Sequence, residues 1–205
     1  MNNDSKNYLN FDWTPIINWE SGGKSYYEKY LNRFTYPGGQ SGPTIMIGVD
    51  CAYYKKEELK DIFKFLPSDD IKLILGCIGK TGPSAKDYIK KLSHIKISWE
   101  NSEKVFYDTI LPKFYNLTLK IWPSVESLCP NAQVALTSIV FNRGASLKGS
   151  SRIEMLEIKN LVPQKNYKAI SDQILKMKRL WVGKNMDGLL KRRDEESKLV
   201  LSCLS

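Results

Sequence analysis

W-E-S-G-G-K-S-Y-Y-E-K-Y-L-N-R-F-T-Y-P-G-G-Q-S-G-P-T-I-M-I-G-V-D, residues 19–50, is the stretch that decides the reading of this chain. It opens at the end of an amphipathic segment, F-D-W-T-P-I-I-N-W-E, which predicts a helix over residues 12–21 with Asp12 as its cap and Pro15 in its first turn. Glu20 lies on that helix. Turn residues follow (Pro37, Gly38, Gly39, Gly42), then the β-branched run T-I-M-I and Gly48. Together they predict a small hairpin region over residues 35–54, with Thr44 at the start of a strand and Asp50 at its end. One helical acid is thus set near a hairpin that carries a hydroxyl and a second acid.

Outward from this stretch the chain turns helical. E-E-L-K-D-I-F-K-F-L spaces apolar residues three and four apart and is stopped by Pro67. G-P-S-A-K-D-Y-I-K-K-L reads as a turn into a helix capped by Ser84, and another helix starts near Ser98 and is kinked or interrupted at Pro112. Pro130 opens N-A-Q-V-A-L-T-S-I-V-F-N-R-G, apolar on nearly every side and stopped by Gly144. A helix apolar all round belongs in the middle of a helical domain. Tyr167 to Trp181 is amphipathic, and Gly188 to Leu204 closes the chain. The expected fold is α+β and predominantly helical: one domain over residues 1–205, with a small N-terminal lobe (about 10–65) holding a β-hairpin and a helical lobe (about 66–205).

Composition narrows the function classes. The chain has 205 residues, 42% of them hydrophobic, enough for one domain with a real core. Its net charge of +9 favours a polyanionic partner such as nucleic acid, an acidic membrane or an anionic cell wall. No apolar run approaches the ~20 residues of a membrane span. The N-terminus, M-N-N-D-S-K-N-Y-L-N, lacks an apolar core, so no Sec-type signal is expected. With a single histidine, His94, the Ser/His and Cys/His hydrolase arrangements and multi-histidine metal sites have little support, and His94 is expected to be structural or on the surface. Cys51, Cys77, Cys129 and Cys203 have the spacing of neither a zinc site nor a small disulfide scaffold; two disulfides are arithmetically possible, and buried free thiols are the expectation. G-x-x-G-K-T at Gly76–Thr81 has two residues between its glycines where a phosphate loop needs four.

Three places carry a family resemblance: Glu20 with Thr44 and Asp50; A-L-T-S-I-V-F-N-R-G (Ala135 to Gly144); and G-L-L-K-R-R-D-E-E (Gly188 to Glu196). In this order they resemble the phage-type lysozymes, and more closely the lysozyme-like domain of pesticin-type bacterial toxins. The resemblance implies a lysozyme-like fold and a peptidoglycan hydrolase that cleaves the β-1,4 bond between N-acetylmuramic acid and N-acetylglucosamine. It departs from the family at Gly38, where common phage lysozymes have an aspartate. Instead, Thr44 and Asp50 stand six residues apart in the pesticin-type pattern T-I-x-I-G-x-D, with Met46 where glycine is more usual.

The chemistry gives its own reason for these residue types. Glycoside hydrolysis needs one carboxylic acid to protonate the leaving oxygen and a polar group opposite to hold or activate water. Glu20 is the candidate acid, Thr44 the water anchor, and Asp50 the base or orienting carboxylate. If they flank a water, inversion is expected, with carboxyl groups about 6.5–9.5 Å apart. Each also has a plain structural alternative: a surface helix glutamate, a strand threonine, a turn carboxylate. Tyr36 and Asn142 are candidate substrate contacts. The family analogy brings Arg192 or Arg193 toward the catalytic glutamate or into the interdomain arrangement; the alternative is a basic last helix that favours its own C-terminal end, with Asp194 and Glu196 as solvated neighbours.

No metal or organic cofactor is expected. Peptidoglycan glycan strands are the expected partner, with an immunity protein or a secretion component beside them. The protein is expected to be a monomer without nucleic acid, made in the cytoplasm and acting in the periplasm or cell wall after delivery by a holin or a secretion system. The alternatives are a non-catalytic wall-binding or interaction module and, through the basic surface, nucleic-acid binding.

Overall fold

Asp12 begins the first α-helix as its sequence position requires: its carboxylate accepts the N–H of Thr14 at 3.0 Å, at the start of α1 (Thr14–Ser21). The computed structural model describes residues 3–204. Ser21 ends α1 by donating its hydroxyl to the Ile17 carbonyl at 2.6 Å. A short α2 (Lys24–Tyr26) runs directly into a π-turn, Tyr27–Leu31. The antiparallel strands β1 (Thr44–Ile45) and β2 (Val49–Asp50) follow, in the register Thr44 to Asp50 and Ile45 to Val49. Then come α3 (Lys56–Ile62), α4 (Ser68–Leu75), α5 (Pro83–Tyr88), α6 (Trp99–Val105) and, after a π-turn at Phe106–Ile110, α7 (Leu111–Ile121). The last four helices are α8 (Pro130–Arg143), α9 (Ile153–Leu161), α10 (Tyr167–Lys176) and α11 (Asp187–Leu201). The chain is therefore predominantly helical with one small antiparallel sheet, as its pattern predicts. Among the described residues no helix is long and apolar enough to cross a membrane.

Two compact units divide the chain. One is continuous, Ile17–Ile110; the other joins the residues up to Ile16 with those from Leu111 onward. The sequence reading ended the small lobe at about residue 65, whereas the unit that holds the hairpin runs to Ile110. Long-range backbone ties explain the extra length. Ile97 donates its N–H to Asn32 at 2.9 Å, Arg33 bridges Lys96, and buried Tyr27 donates its hydroxyl to the Ile97 carbonyl at 3.0 Å. Ile45, Ile47, Val49, Leu59, Ile62, Phe63 and Ile74 are among the buried apolar residues of this unit, with Phe34 packed against Phe63. Cys51 and Cys77 are free and buried, as expected. His94 is more than half exposed and bonds Asp70 at 2.9 Å.

In the second unit α8 is the axle. Every residue from Ala132 to Val140 is buried, Pro130 stands at its first turn, and Gly144 ends it with φ 74°. Apolar residues of α9, α10 and α11 surround it, among them Met155, Ile158, Ile170, Ile174 and Val200. Buried Trp122 donates its indole N–H to the Met155 carbonyl at 3.0 Å. Cys129 and Cys203 form a disulfide, which corrects the expectation of four free thiols. One further detail differs from the sequence reading. Ser84 does not cap α5: Gly82 holds the cap position, Pro83 takes the first helical position, and the Ser84 hydroxyl turns back to the Thr81 carbonyl at 2.8 Å. The helix that starts after Ser98 is interrupted, as expected, next to Pro112: a π-turn at Phe106–Ile110 separates α6 from α7, and Pro112 stands in the first turn of α7.

Candidate active site

Glu20 sits in the last turn of α1, half-buried, where an amphipathic helix meets the hairpin of its own unit. Thr44 is fixed on both sides of its strand. It exchanges backbone hydrogen bonds with Thr35 (2.9 and 2.8 Å) and pairs with Asp50 across the hairpin. A cavity of about 220 Å³ joins them: its wall includes Glu20, Thr35 and Thr44 as polar groups and Leu31, Pro37, Ile45, Met46 and Gly48 as the remainder. An acid and two threonines thus line one hollow whose other residues are mostly apolar, the usual character of a binding site for a small polar group. A second hollow, about 110 Å³, is lined in part by Asp61 and Asp108, but these carboxylates are already paired with Lys64 at 3.0 Å and Lys104 at 2.8 Å.

Asp50 is used differently from Glu20. It is outside the cavity wall, and both its carboxylate oxygens accept the Gly42 N–H, at 3.1 and 2.9 Å. One oxygen also accepts the Ala52 N–H at 3.1 Å, which starts the 3-10 turn Cys51–Tyr53. Thr44 in turn donates its hydroxyl to the Gly42 carbonyl at 3.1 Å. The two hairpin side chains therefore grip Gly42 from opposite ends of its backbone. With its proton directed at Gly42, the Thr44 oxygen keeps its lone pairs for a hydrogen-bond donor such as water.

Met46 explains why its position favours glycine. It turns the hairpin with φ 57°, in the left-handed region, at about 1 kcal/mol of strain for a side-chain-bearing residue. Its side chain is buried, so packing offsets part of that strain. Tyr36 stands between two residues of the cavity wall without belonging to it, and its hydroxyl bonds the Gly39 carbonyl at 2.7 Å. Sequence reasoning missed Thr35. An isolated antiparallel bridge sets Thr35 beside Thr44; alternation with buried Phe34 could have marked its face, but the pairing is a register that no side-chain period carries.

The remaining candidates belong to the helical unit. Asn142 is half-buried in the last turn of α8, whose end is capped by Gly144 donating to the Val140 carbonyl at 2.7 Å. Arg192 and Arg193 on α11 are buried, not part of an exposed basic face. Arg192 donates to the Ser138 carbonyl at 3.2 Å and Arg193 to Glu196 at 2.7 Å. Burial pushes the Glu196 carboxyl up, against the downward pull of Arg193, Arg192 and Ser138. Trp181 stacks with the guanidinium groups of Arg193 (5.5 Å) and Arg143 (5.4 Å). Burial, with Arg152 and Arg193 close by, brings the Arg143 guanidinium down to about 10.

The family model described as Phage lysozyme covers residues 68–196, more than half of the chain. That span includes α8 and the Arg192–Arg193 pair; Glu20, Thr44 and Asp50 precede it. No curated protein matches the chain significantly.

Proposed function

The chain belongs to the phage lysozyme family, a family of peptidoglycan-degrading glycoside hydrolases, and on that premise we propose that it cleaves the β-1,4 bond between N-acetylmuramic acid and N-acetylglucosamine. The observation that carries the reading is the cavity shared by Glu20 and Thr44. In this mechanism Glu20 gives its proton to the glycosidic oxygen as the bond to the anomeric carbon breaks. A water donates a hydrogen bond to the Thr44 oxygen and attacks that carbon from the opposite face, so the product is inverted; the attacking water gives up its surplus proton to solvent, and Glu20 regains one from solvent as the product leaves. Asp50 acts as the orienting carboxylate: through Gly42 it holds the strand that carries Thr44. Tyr36, next in sequence to two residues of the cavity wall, is proposed to contact the strand, whereas Arg192 and Arg193, buried against Ser138 and Glu196, hold the helical unit together.

Delivery to the wall through a holin or a secretion apparatus belongs to the same proposal, with the protein acting as a monomeric endolysin or as an antibacterial effector beside an immunity protein. One observation favours a second reading, a wall-binding module without turnover: the family match begins after the residues proposed to do the chemistry. Turbidity of purified sacculi separates the two. Wild type should clear them and Glu20→Gln should not. Equal clearing by both removes Glu20 as the acid, and no clearing by either supports the binding module. Proton NMR of the fresh product tests inversion, and a product that keeps its β configuration refutes it.

A further inference from the structure

The turn that follows Glu20 carries two tyrosines that the fold leaves uncovered. Tyr26 and Tyr30 are 50% and 45% exposed, with ring centroids 4.7 Å apart and planes inclined by 47°. Between them in sequence, Tyr27 is wholly buried and tied to the Ile97 carbonyl. A π-turn brings residues four and five apart nearly into line, so Tyr26 and Tyr30 share the outer side while Tyr27 faces the core. Tyr27, Tyr36, Tyr53 and Tyr88 each anchor their hydroxyl on a backbone carbonyl. Among the described residues no protein hydrogen bond holds the phenol of Tyr26 or Tyr30.

In sequence the pair lies between two residues of the cavity wall, Glu20 and Leu31, without itself belonging to that wall. Leu31 directly follows Tyr30. The Tyr26 ring lies directly on Gly22, two residues after Glu20. A Cβ at Gly22 would fall 2.9 Å from the ring, and its φ of 67° also suits glycine. The Lys29 ammonium stands 4.9 Å from the Tyr30 ring centre, adding a positive charge to the same surface.

We propose that Tyr26 and Tyr30 form a stacking platform for the N-acetylhexosamine rings of a glycan strand, extending its binding site beyond the cavity. The proposal rests on the glycan-cleaving reading of that cavity. A pyranose ring presents a face of C–H bonds that packs on an aromatic ring, while its rim of hydroxyl and acetamido groups needs polar partners. Two exposed rings with open phenols supply both, and Lys29 supplies a cation for the lactyl carboxylate of a muramic acid. A strand longer than the cavity must rest on surface outside it, and these two exposed rings follow Glu20 and precede Leu31 of the cavity wall in sequence.

The test uses the full chain with Glu20→Gln, so that ligand is not consumed, and calorimetric titration with the dimer and the hexamer of N-acetylglucosamine. The hexamer should bind more tightly than the dimer, and adding Tyr26→Ala and Tyr30→Ala should weaken the hexamer about tenfold. The Phe pair should restore most of that affinity, because it keeps the rings. In sacculus assays of the otherwise wild-type enzyme, the Ala pair should raise KM more than it lowers kcat. A hexamer affinity within about twofold of the parent in the Ala pair overturns the platform and leaves the glycosidase reading intact. Failure of the parent to bind either oligosaccharide also overturns it. If wild type in addition leaves sacculi uncleared, the glycosidase reading falls with it.

Discussion

Replacing Gly42 with alanine inserts one methyl group into the junction that holds the hairpin. The new Cβ would lie 2.3 Å from the Ala52 Cβ, 2.5 Å from an Asp50 carboxylate oxygen and 3.0 Å from the Lys80 carbonyl oxygen. Carbon atoms rest at about 3.5–4.0 Å, so a displacement of more than about 1 Å is required. No rotamer change supplies it, because both methyls are fixed to the backbone. Ala52 is also held in place, its N–H donating to Asp50 at 3.1 Å. Relief must come from separating residue 42 from Asp50, which breaks the pair of bonds at 2.9 and 3.1 Å. Overpacking costs about 1–3 kcal/mol, and a hydrogen bond to a charged group contributes about 1.5–3 kcal/mol. With partial relaxation the expected loss is about 3 kcal/mol, a large part of a typical domain's stability of about 5–15 kcal/mol. Thr44 is bonded to the Gly42 carbonyl and must move with it. Urea unfolding followed by circular dichroism measures the first effect, and sacculus clearing at a temperature where the variant stays folded measures the second, expected to drop about tenfold or more. A stability loss below about 0.5 kcal/mol with an undiminished clearing rate would refute the role given to Asp50 and Gly42.

Three further outcomes are expected. Burial pushes the Tyr27 phenol up from 10.0 to about 12, so the fold keeps its proton after the unfolded chain has lost it. That contribution is intact below pH 10 and is lost as pH rises toward 12; urea midpoints across this window should fall for wild type and show a shallower slope in Tyr27→Phe. Glu196→Ala should cost about 3–5 kcal/mol in urea unfolding, because it leaves Arg192 and Arg193 buried without the carboxylate they share, and a near-neutral result would mean other groups neutralise them. Cys203→Ser opens a link between residues 74 apart, and its expected cost of about 4 kcal/mol should match the effect of a reductant on wild type and be absent when the reductant is added to the variant.

The helical part of the fold was largely legible because its signals are local. Asp12 and Ser98 each satisfy N–H groups within three residues, and Pro130 and Gly144 mark α8 by backbone constraints that neighbours do not alter. Ser84 shows the limit of such signals. A serine can cap a helix, but Pro83 beside it prefers the first helical position, and the competition moves the cap to Gly82. At the candidate site, the sequence marked Glu20 and Thr44, which the cavity brings together. It also marked Asp50, whose bonds to Gly42 and Ala52 depend on how the hairpin closes.

By itself, then, the sequence determined a predominantly helical chain, one short hairpin and an all-round apolar central helix, and it marked the residues of the proposed site. Those features follow from side-chain period, capping and turn chemistry, which act within a few residues. Tertiary structure alone decided that Cys129 meets Cys203, that the hairpin's unit extends to Ile110, that Arg192 and Arg193 are buried with Glu196, and that Tyr26 and Tyr30 stay exposed beside a buried Tyr27. Each of these depends on which distant segment covers a given side chain, and that is set by how the apolar faces of remote helices pack, not by the residues on either side.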